Sequence, residues 1–179
     1  MFKGFKKKFV KVNKGKIFCR IGGKGPPLLL LHGYPQTHVM WHKTANELSK
    51  SFTIIVADLR GYGSSFILKS DKKHIHYSKR EMAKDMVQLM NKLGFKKFCI
   101  AGHDRGGRVA HRMARDYRQR IIALSVLDIC PTLDMYDQTK KEFAKAYFHW
   151  FFLIQPKFLP ENMITVSYTH LTLPTTPYV

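Results

Sequence analysis

The run Leu28-Leu29-Leu30-Leu31 is wholly apolar and too short for a buried helix. With no alternation of polar residues, it predicts a strand covered on both faces. Upstream, Phe5 to Val12 mixes apolar positions with lysines, and Lys16 to Ile21 repeats the pattern after the turn signal Asn13-Lys14-Gly15. That is a hairpin. Trp41, Ala45 and Leu48 are spaced for a helix over Trp41 to Lys50, and Phe52 to Ala57 is a second apolar strand ending at Asp58. The stretch from Asp58 to Lys73, with Gly61 and Gly63, reads as loop. Ser78 with Glu81 three residues on predicts a capping box. Met82, Met86, Leu89, Met90 and Leu93 then form one helical face that Gly94 stops. Phe98 to Ala101 is strand, Gly106 to Tyr117 helix with Val109, Ala110, Met113, Ala114 and Tyr117 inward, and Ile121 to Leu127 strand, ending at Asp128.

Strand and helix therefore alternate, which predicts an α/β fold: a mostly parallel sheet with helices on both faces. In such sheets the chemistry sits beyond the C-terminal strand ends. Three segments fall there: His32-Gly33-Tyr34-Pro35, Asp104 and Asp128. Residues 1–131 make up this core. After Pro131 the style changes. The aromatic block Tyr147-Phe148-His149-Trp150-Phe151-Phe152 reads either as a helix packed on another layer or as the start of a lid, spanning 132–164. Residues 165–179 are Thr- and Pro-rich, nearly uncharged and unlike the lysine-heavy chain before them. They read as a non-native, adapter-derived tail with no expected fold.

A chain of 179 residues that is 45% hydrophobic and 13% aromatic can build a core. No apolar run reaches the roughly 18 to 20 residues of a membrane span, and the basic N-terminus has no apolar h-region, so the expected location is cytoplasmic. Cys19, Cys99 and Cys130 form no CxxC pair and each sits in an apolar stretch, so buried reduced thiols are expected and metal ligation is not. The net charge of +19 raises a basic nucleic-acid-binding module as an alternative. A lysine cluster at Lys3, Lys6, Lys7, Lys8, Lys11, Lys14 and Lys16 is part of it, but no zinc-finger, RNP-like or helix-turn-helix signature accompanies it. A solvated lysine-rich surface that steers anionic substrates is preferred.

The strongest chemical signal is Gly102-His103-Asp104-Arg105-Gly106 between a strand and a helix. Glycine two before and two after the central residue lets a sharp turn lift that side chain clear of the sheet. The helix N-terminus beneath favours a carboxylate. The plain alternative is an aspartate capping the helix. An ionised aspartate needs no activating base to displace a leaving group from sp3 carbon, giving an alkyl-enzyme ester that water then cleaves. Arg105 and Arg108 lie within one turn and suit a substrate bearing its own carboxylate; the plainer alternative for Arg108 is a basic stripe with Arg112 and Arg115.

Leu31-His32-Gly33-Tyr34-Pro35-Gln36, Ala57-Asp58-Leu59-Arg60-Gly61-Tyr62-Gly63, Gly102-His103-Asp104-Arg105-Gly106 and Phe148-His149-Trp150-Phe151-Phe152 together resemble the haloacetate dehalogenases of the α/β-hydrolase fold, from about Gly23 to Ile164. Arg105 stands where related epoxide hydrolases and haloalkane dehalogenases usually carry Trp. The resemblance implies that Asp104 attacks the halogen-bearing carbon and that Arg105 and Arg108 hold the carboxylate. It implies that His149 and Trp150 bond the departing halide, and that the Tyr34 and Arg105 backbone N–H groups form the oxyanion hole. Asp128 would orient a late histidine, and no cofactor or metal is implied. The expected partner is a small haloacid, with no nucleic acid or membrane and a homodimer at full length. None of the chain's histidines falls at the late position; His32 and His103 belong to the motifs, and His38, His42, His74, His76 and His111 to surface or helix positions. The chain is thus expected to be a fragment, truncated within the lid, that lacks this histidine and a halide-binding tyrosine, folds poorly alone and does not turn over. The alternative within the fold is an epoxide hydrolase or a related hydrolase.

Overall fold

Leu29 and Leu31 point to one side of the sheet and Leu30 to the other, and all three are buried. That two-sided burial is what an unalternating strand requires. The structure is a computed structural model. It describes residues 1–69 and 73–172, the last six of these, 167–172, by their backbone alone. The chain divides into two compact units, Met1–Pro131 and Thr132–Val179.

In the first unit, β1 (Lys6–Val12), β2 (Gly15–Gly22), β3 (Pro27–Leu31), β4 (Thr53–Ala57), β5 (Phe98–His103) and β6 (Ile121–Leu127) form one sheet in the order β1-β2-β4-β3-β5-β6. The β1–β2 hairpin and the β2–β4 pair are antiparallel; β4, β3, β5 and β6 run parallel. The helices are α1 (His42–Leu48), α2 (Lys79–Lys92) and α3 (Arg105–Asp116). Met82, Met86, Leu89 and Met90 of α2 and Val109, Ala110 and Met113 of α3 bury one sheet face with Leu29, Leu31 and Ile55. Ala45 of α1, Trp41 and Phe2 cover the other with Leu30, Ile54 and Val56. This is the mostly parallel sheet with helices on both faces expected from the alternation.

Three local expectations change. The helix expected over Trp41 to Lys50 is a 3-10 turn, His38–Trp41, followed by α1. Thr37 caps that turn, its hydroxyl accepting from the Val39 N–H at 3.3 Å, and the chain turns to seat Trp41 in the core. The capping box is half formed. Ser78 accepts from the Glu81 N–H at 3.3 Å, while the Glu81 carboxylate is taken by Lys84 and Lys14. Of the three cysteines expected to be buried, only Cys19 is; Cys99 is half-buried and Cys130 exposed, because it lies just past the edge strand β6.

The two sheet edges differ. β1 presents Lys6, Lys7, Lys8 and Lys11, while β6 exposes Ile122, Leu124, Val126 and Leu127.

The second unit holds α4 (Thr132–Asp137), α5 (Lys141–Ala146), α6 (Phe148–Leu153) and α7 (Leu159–Thr172). Its contacts are largely aromatic: Phe143 stacks on Tyr147 at 4.8 Å, and Tyr136 meets Trp150 at 5.7 Å and Phe151 at 5.8 Å between ring centroids. α7 runs across the boundary expected at 164–165; the rest of that tail, 173–179, lies outside the described residues. Among the described residues no helix is long and apolar enough to cross a membrane.

Candidate active site

β5 runs into α3 through one residue, Asp104, held at φ +46° and ψ −115°. That region is costly for a residue with a Cβ. The flanking glycines explain how the bend closes. A Cβ on Gly102 would stand 2.4 Å from the Gly106 carbonyl oxygen, and one on Gly106 would stand 2.5 Å from the His32 carbonyl oxygen. The Asp104 N–H donates to the Leu127 carbonyl of β6 at 3.1 Å, which fixes the bend to the neighbouring strand.

The Asp104 side chain makes no capping bond to α3, so the plain reading of a helix cap fails. Instead its Oδ1 accepts from the Tyr34 N–H at 2.8 Å. Gly33 makes room for this: a Cβ there would lie 2.7 Å from the Asp104 Cβ and Oδ1. The loop that carries Gly33 and Tyr34 is braced twice. Gln36 accepts from the Gly33 N–H through Oε1 at 3.1 Å, and His103 Nδ1 lies 3.1 Å from the same oxygen. His32, fully buried, lies with Nδ1 2.8 Å from the Gly33 carbonyl, and its Nε2 accepts from the Leu59 N–H at 3.0 Å. This leaves Nδ1 as the protonated nitrogen of a neutral ring. Burial holds its pKa below the usual histidine value, and the imidazole acts as a strut between two loops.

Arg105 lies between two tyrosines, its Cζ 5.8 Å from the Tyr34 ring and 5.9 Å from the Tyr62 ring. Its Nε is buried and, among the described residues, has no hydrogen-bond partner. Leaving such a donor unpaired costs about 1–3 kcal/mol, an imbalance that a bound anion removes. Arg108 is half-buried one turn into α3, with its N–H bonded to the Asp104 carbonyl at 3.1 Å. Asp128, also at positive φ (+53°), lies just beyond β6 with its Oδ2 3.6 Å from His103 Nε2; its side chain is 83% exposed. The structure therefore gathers Tyr34, Asp104, Arg105, Arg108, His103 and Asp128 at the C-terminal edge of the sheet. His149 and Trp150 lie on α6 of the second unit, His149 exposed and Trp150 half-buried.

Sequence reasoning missed three things here. Tyr62 flanks Arg105, and burial pushes its phenol above the usual value. Gln36 locks the Gly33 loop. His38, grouped with surface or helix histidines, is instead buried: its Nδ1 lies 2.8 Å from Asp58 Oδ1, and its Nε2 accepts from Arg20 at 3.2 Å. Burial alone would raise the Asp58 carboxyl. The His38 ring, the His38 N–H and the Ser64 N–H together outweigh burial and hold it below the usual range. Local sequence carries no signal for that pair, because its members sit on different loops.

Comparison with known proteins agrees with this geometry. The family model of the alpha/beta hydrolase fold matches residues 26–173. A fluoroacetate dehalogenase from Burkholderia sp is 48% identical over 164 residues, 92% of this chain and 54% of that protein. A soluble epoxide hydrolase from a Corynebacterium species is 41% identical over 122 residues, 68% of this chain and 41% of that protein. The chain thus spans about half the length of the curated relatives it matches. A solved alpha/beta hydrolase structure from Nostoc sp PCC 7120 superposes with a TM-score of 0.89 at 53% identity, covering 96% of this chain and 59% of that one. The elbow, the sheet order and these matches have one common meaning: the chain belongs to the alpha/beta hydrolase fold family.

Proposed function

We propose that the protein carrying this chain hydrolyses a small 2-haloacid through an ester on Asp104. One Asp104 oxygen attacks the halogen-bearing carbon, the carbon–halogen bond breaks and halide leaves. Water then attacks the ester carbonyl, the 2-hydroxyacid departs, and the carboxylate is regenerated with release of a proton. Arg105 and Arg108 hold the substrate carboxylate. The Tyr34 and Arg105 N–H groups steady the oxyanion of the second step. His149 and Trp150, in a segment (132–164) read as the start of a lid, bond the departing halide, and Asp128 orients a histidine base. A cytoplasmic, homodimeric protein acting without a cofactor completes the proposal.

The observation that carries it is Arg105 Nε, a buried donor with no partner among the described residues, next to a carboxylate held out on a strained bend. A neutral substrate has no use for that cation, whereas a haloacid brings the matching charge. The 48% identity to a fluoroacetate dehalogenase points the same way. The similarity to a soluble epoxide hydrolase supports a second reading, epoxide opening by the same aspartate.

The experiment incubates the whole protein with fluoroacetate and, separately, with a simple epoxide. Halide and glycolate in equal amounts, lost in the Asp104→Asn variant, support the proposal. Diol without halide supports the second reading. Activity indifferent to Asp104, with binding to nucleic acid that falls steeply with salt, would return the chain to the class of basic binding modules.

A further inference from the structure

Strands β3 and β4 are parallel neighbours with Leu31 opposite Ala57, so the chain leaves both at the same edge of the sheet, side by side. After β3 comes the loop that carries Tyr34; after β4 come Asp58 and Leu59. Those two consecutive residues hold both ends of that loop. At its start the Leu59 N–H donates to His32 Nε2 at 3.0 Å. At its end Asp58 Oδ1 accepts the His38 N–H at 2.7 Å and lies 2.8 Å from His38 Nδ1. Arg20 Nε donates to His38 Nε2 at 3.2 Å, so the ring proton sits on Nδ1 and points at Asp58.

The carboxylate is itself fixed. Its Oδ2 accepts from the Ser64 N–H at 3.0 Å, its backbone N–H donates to the Phe18 carbonyl at 3.0 Å, and its carbonyl accepts from the Ser65 hydroxyl at 2.7 Å. Gly63, at φ +52°, lets the chain pass: a Cβ there would stand 2.2 Å from Oδ2. The rings of Phe18 and Phe2 lie 4.8 Å and 5.6 Å from the His38 ring. A carboxylate is costly to bury, and an apolar side chain would fill the same space at less cost. Asp58 is 0% exposed, so it touches no substrate. What it touches is the loop.

That loop presents the Tyr34 N–H to Asp104 Oδ1 at 2.8 Å. In the reaction proposed above, the other oxygen of Asp104 bonds to carbon. Oδ1 becomes the ester carbonyl and carries negative charge when water attacks. In the first step charge drains from Asp104, so a donor to Oδ1 gives that step no help; in the second step charge grows on Oδ1, and the donor counts. It counts only if held within about 0.5 Å of its place. We propose that Asp58, through His38, is a positioning residue for ester hydrolysis: it ties down the loop that aims the Tyr34 N–H, and its loss slows the second step more than the first. This rests on the reading of Asp104 as the nucleophile, not on which substrate it attacks.

The whole protein is mixed with fluoroacetate, quenched in acid during steady turnover and weighed by mass spectrometry, which reads the fraction carrying an ester on Asp104. Asp58→Asn keeps the shape but withdraws the charge and sets an amide donor against the Ser64 N–H. Ester hydrolysis is expected to slow about tenfold, a part of the roughly 10²–10³-fold that a whole oxyanion donor is worth. The ester then accumulates, and kcat and KM fall together while kcat/KM, set by alkylation, holds. His38→Phe keeps a ring against Phe2 and Phe18 and keeps the backbone N–H, but removes the ring bond; a smaller shift the same way is expected. Asp85→Asn is the control. That carboxylate is also buried, but it holds Arg60, whose guanidinium grips the His76 and Glu81 carbonyls at the start of α2. It should lower the urea midpoint and leave the ester fraction and KM as in wild type. A merely structural Asp58 would behave like this control.

The proposal is overturned if Asp58→Asn shows the wild-type ester fraction and KM, or if Asp85→Asn shows the same accumulation. Should Asp58→Asn not fold, His38→Phe decides by the same readings. An epoxide in place of fluoroacetate separates the two proposals. Accumulation of its ester in Asp58→Asn, with no halide released from fluoroacetate, upholds this one and sinks the haloacid reading. Halide release with an ester fraction indifferent to Asp58 sinks only this one. No ester on Asp104 from either substrate overturns it together with the nucleophile on which it rests.

Discussion

Asp104 sits where the backbone disfavours any side chain, and removing only its Cβ tests that. Asp104→Ala and Asp104→Gly both abolish the carboxylate, so both lose the 2.8 Å bond from the Tyr34 N–H and the attraction to the start of α3. They differ by one methyl group. In an ordinary position glycine is the less stable choice by about 0.5–1 kcal/mol, through the freedom it gives the unfolded chain. At φ +46° and ψ −115° the folded-state strain of a Cβ is about 1–3 kcal/mol and works in the opposite direction. Taking about 2 for the strain and about 0.8 for the entropy, Asp104→Gly is expected to exceed Asp104→Ala by about 1 kcal/mol. Urea unfolding followed by far-ultraviolet circular dichroism reads the difference in midpoints, provided the slopes agree. If the alanine variant is as stable as the glycine variant, or more so, the bend carries no strain and the flanking glycines are not there to relieve any.

Removing one member of the buried Arg60–Asp85 pair strands the other charge, so Arg60→Met should cost about 3–5 kcal/mol. The double variant Arg60→Met, Asp85→Leu should recover much of it in the same urea assay, a coupling that additive singles would contradict. Thiol reagent should modify exposed Cys130 fastest, half-buried Cys99 more slowly, and Cys19, whose burial pushes its thiol up to about 12, only on unfolding; mass spectrometry of a time course gives the order. Two groups set the acid response. His32 must stay neutral in the fold, so stability is lost as pH falls below the ordinary histidine value of 6.5. Asp58 is held below its usual 3.8, so its contribution is present above that value and lost as pH falls through the lower folded one. A urea midpoint that stays flat from pH 7 to pH 3 would contradict both.

What could be read from sequence was what neighbouring residues decide. The unalternating leucines of β3, the helical face of α2 and the strand–turn–helix around Asp104 are local patterns, and each folds as its pattern requires. The reach from Tyr34 to Asp104 was legible only through the resemblance, because 70 residues separate the partners. The His38–Asp58 pair and the clamp of Arg60 on the α2 start had no pattern to announce them.

The unlike borders of the sheet make its growth directional. Along β1 an approaching strand would have to bring its backbone against a row of ammonium groups, which repel a second copy of themselves. Along β6 the open amides and carbonyls come with apolar side chains that gain by being covered. Any strand that extends this sheet, whether from the same polypeptide or another molecule, is therefore received on the side where Asp128 stands, and its arrival reshapes the surroundings of that carboxylate first.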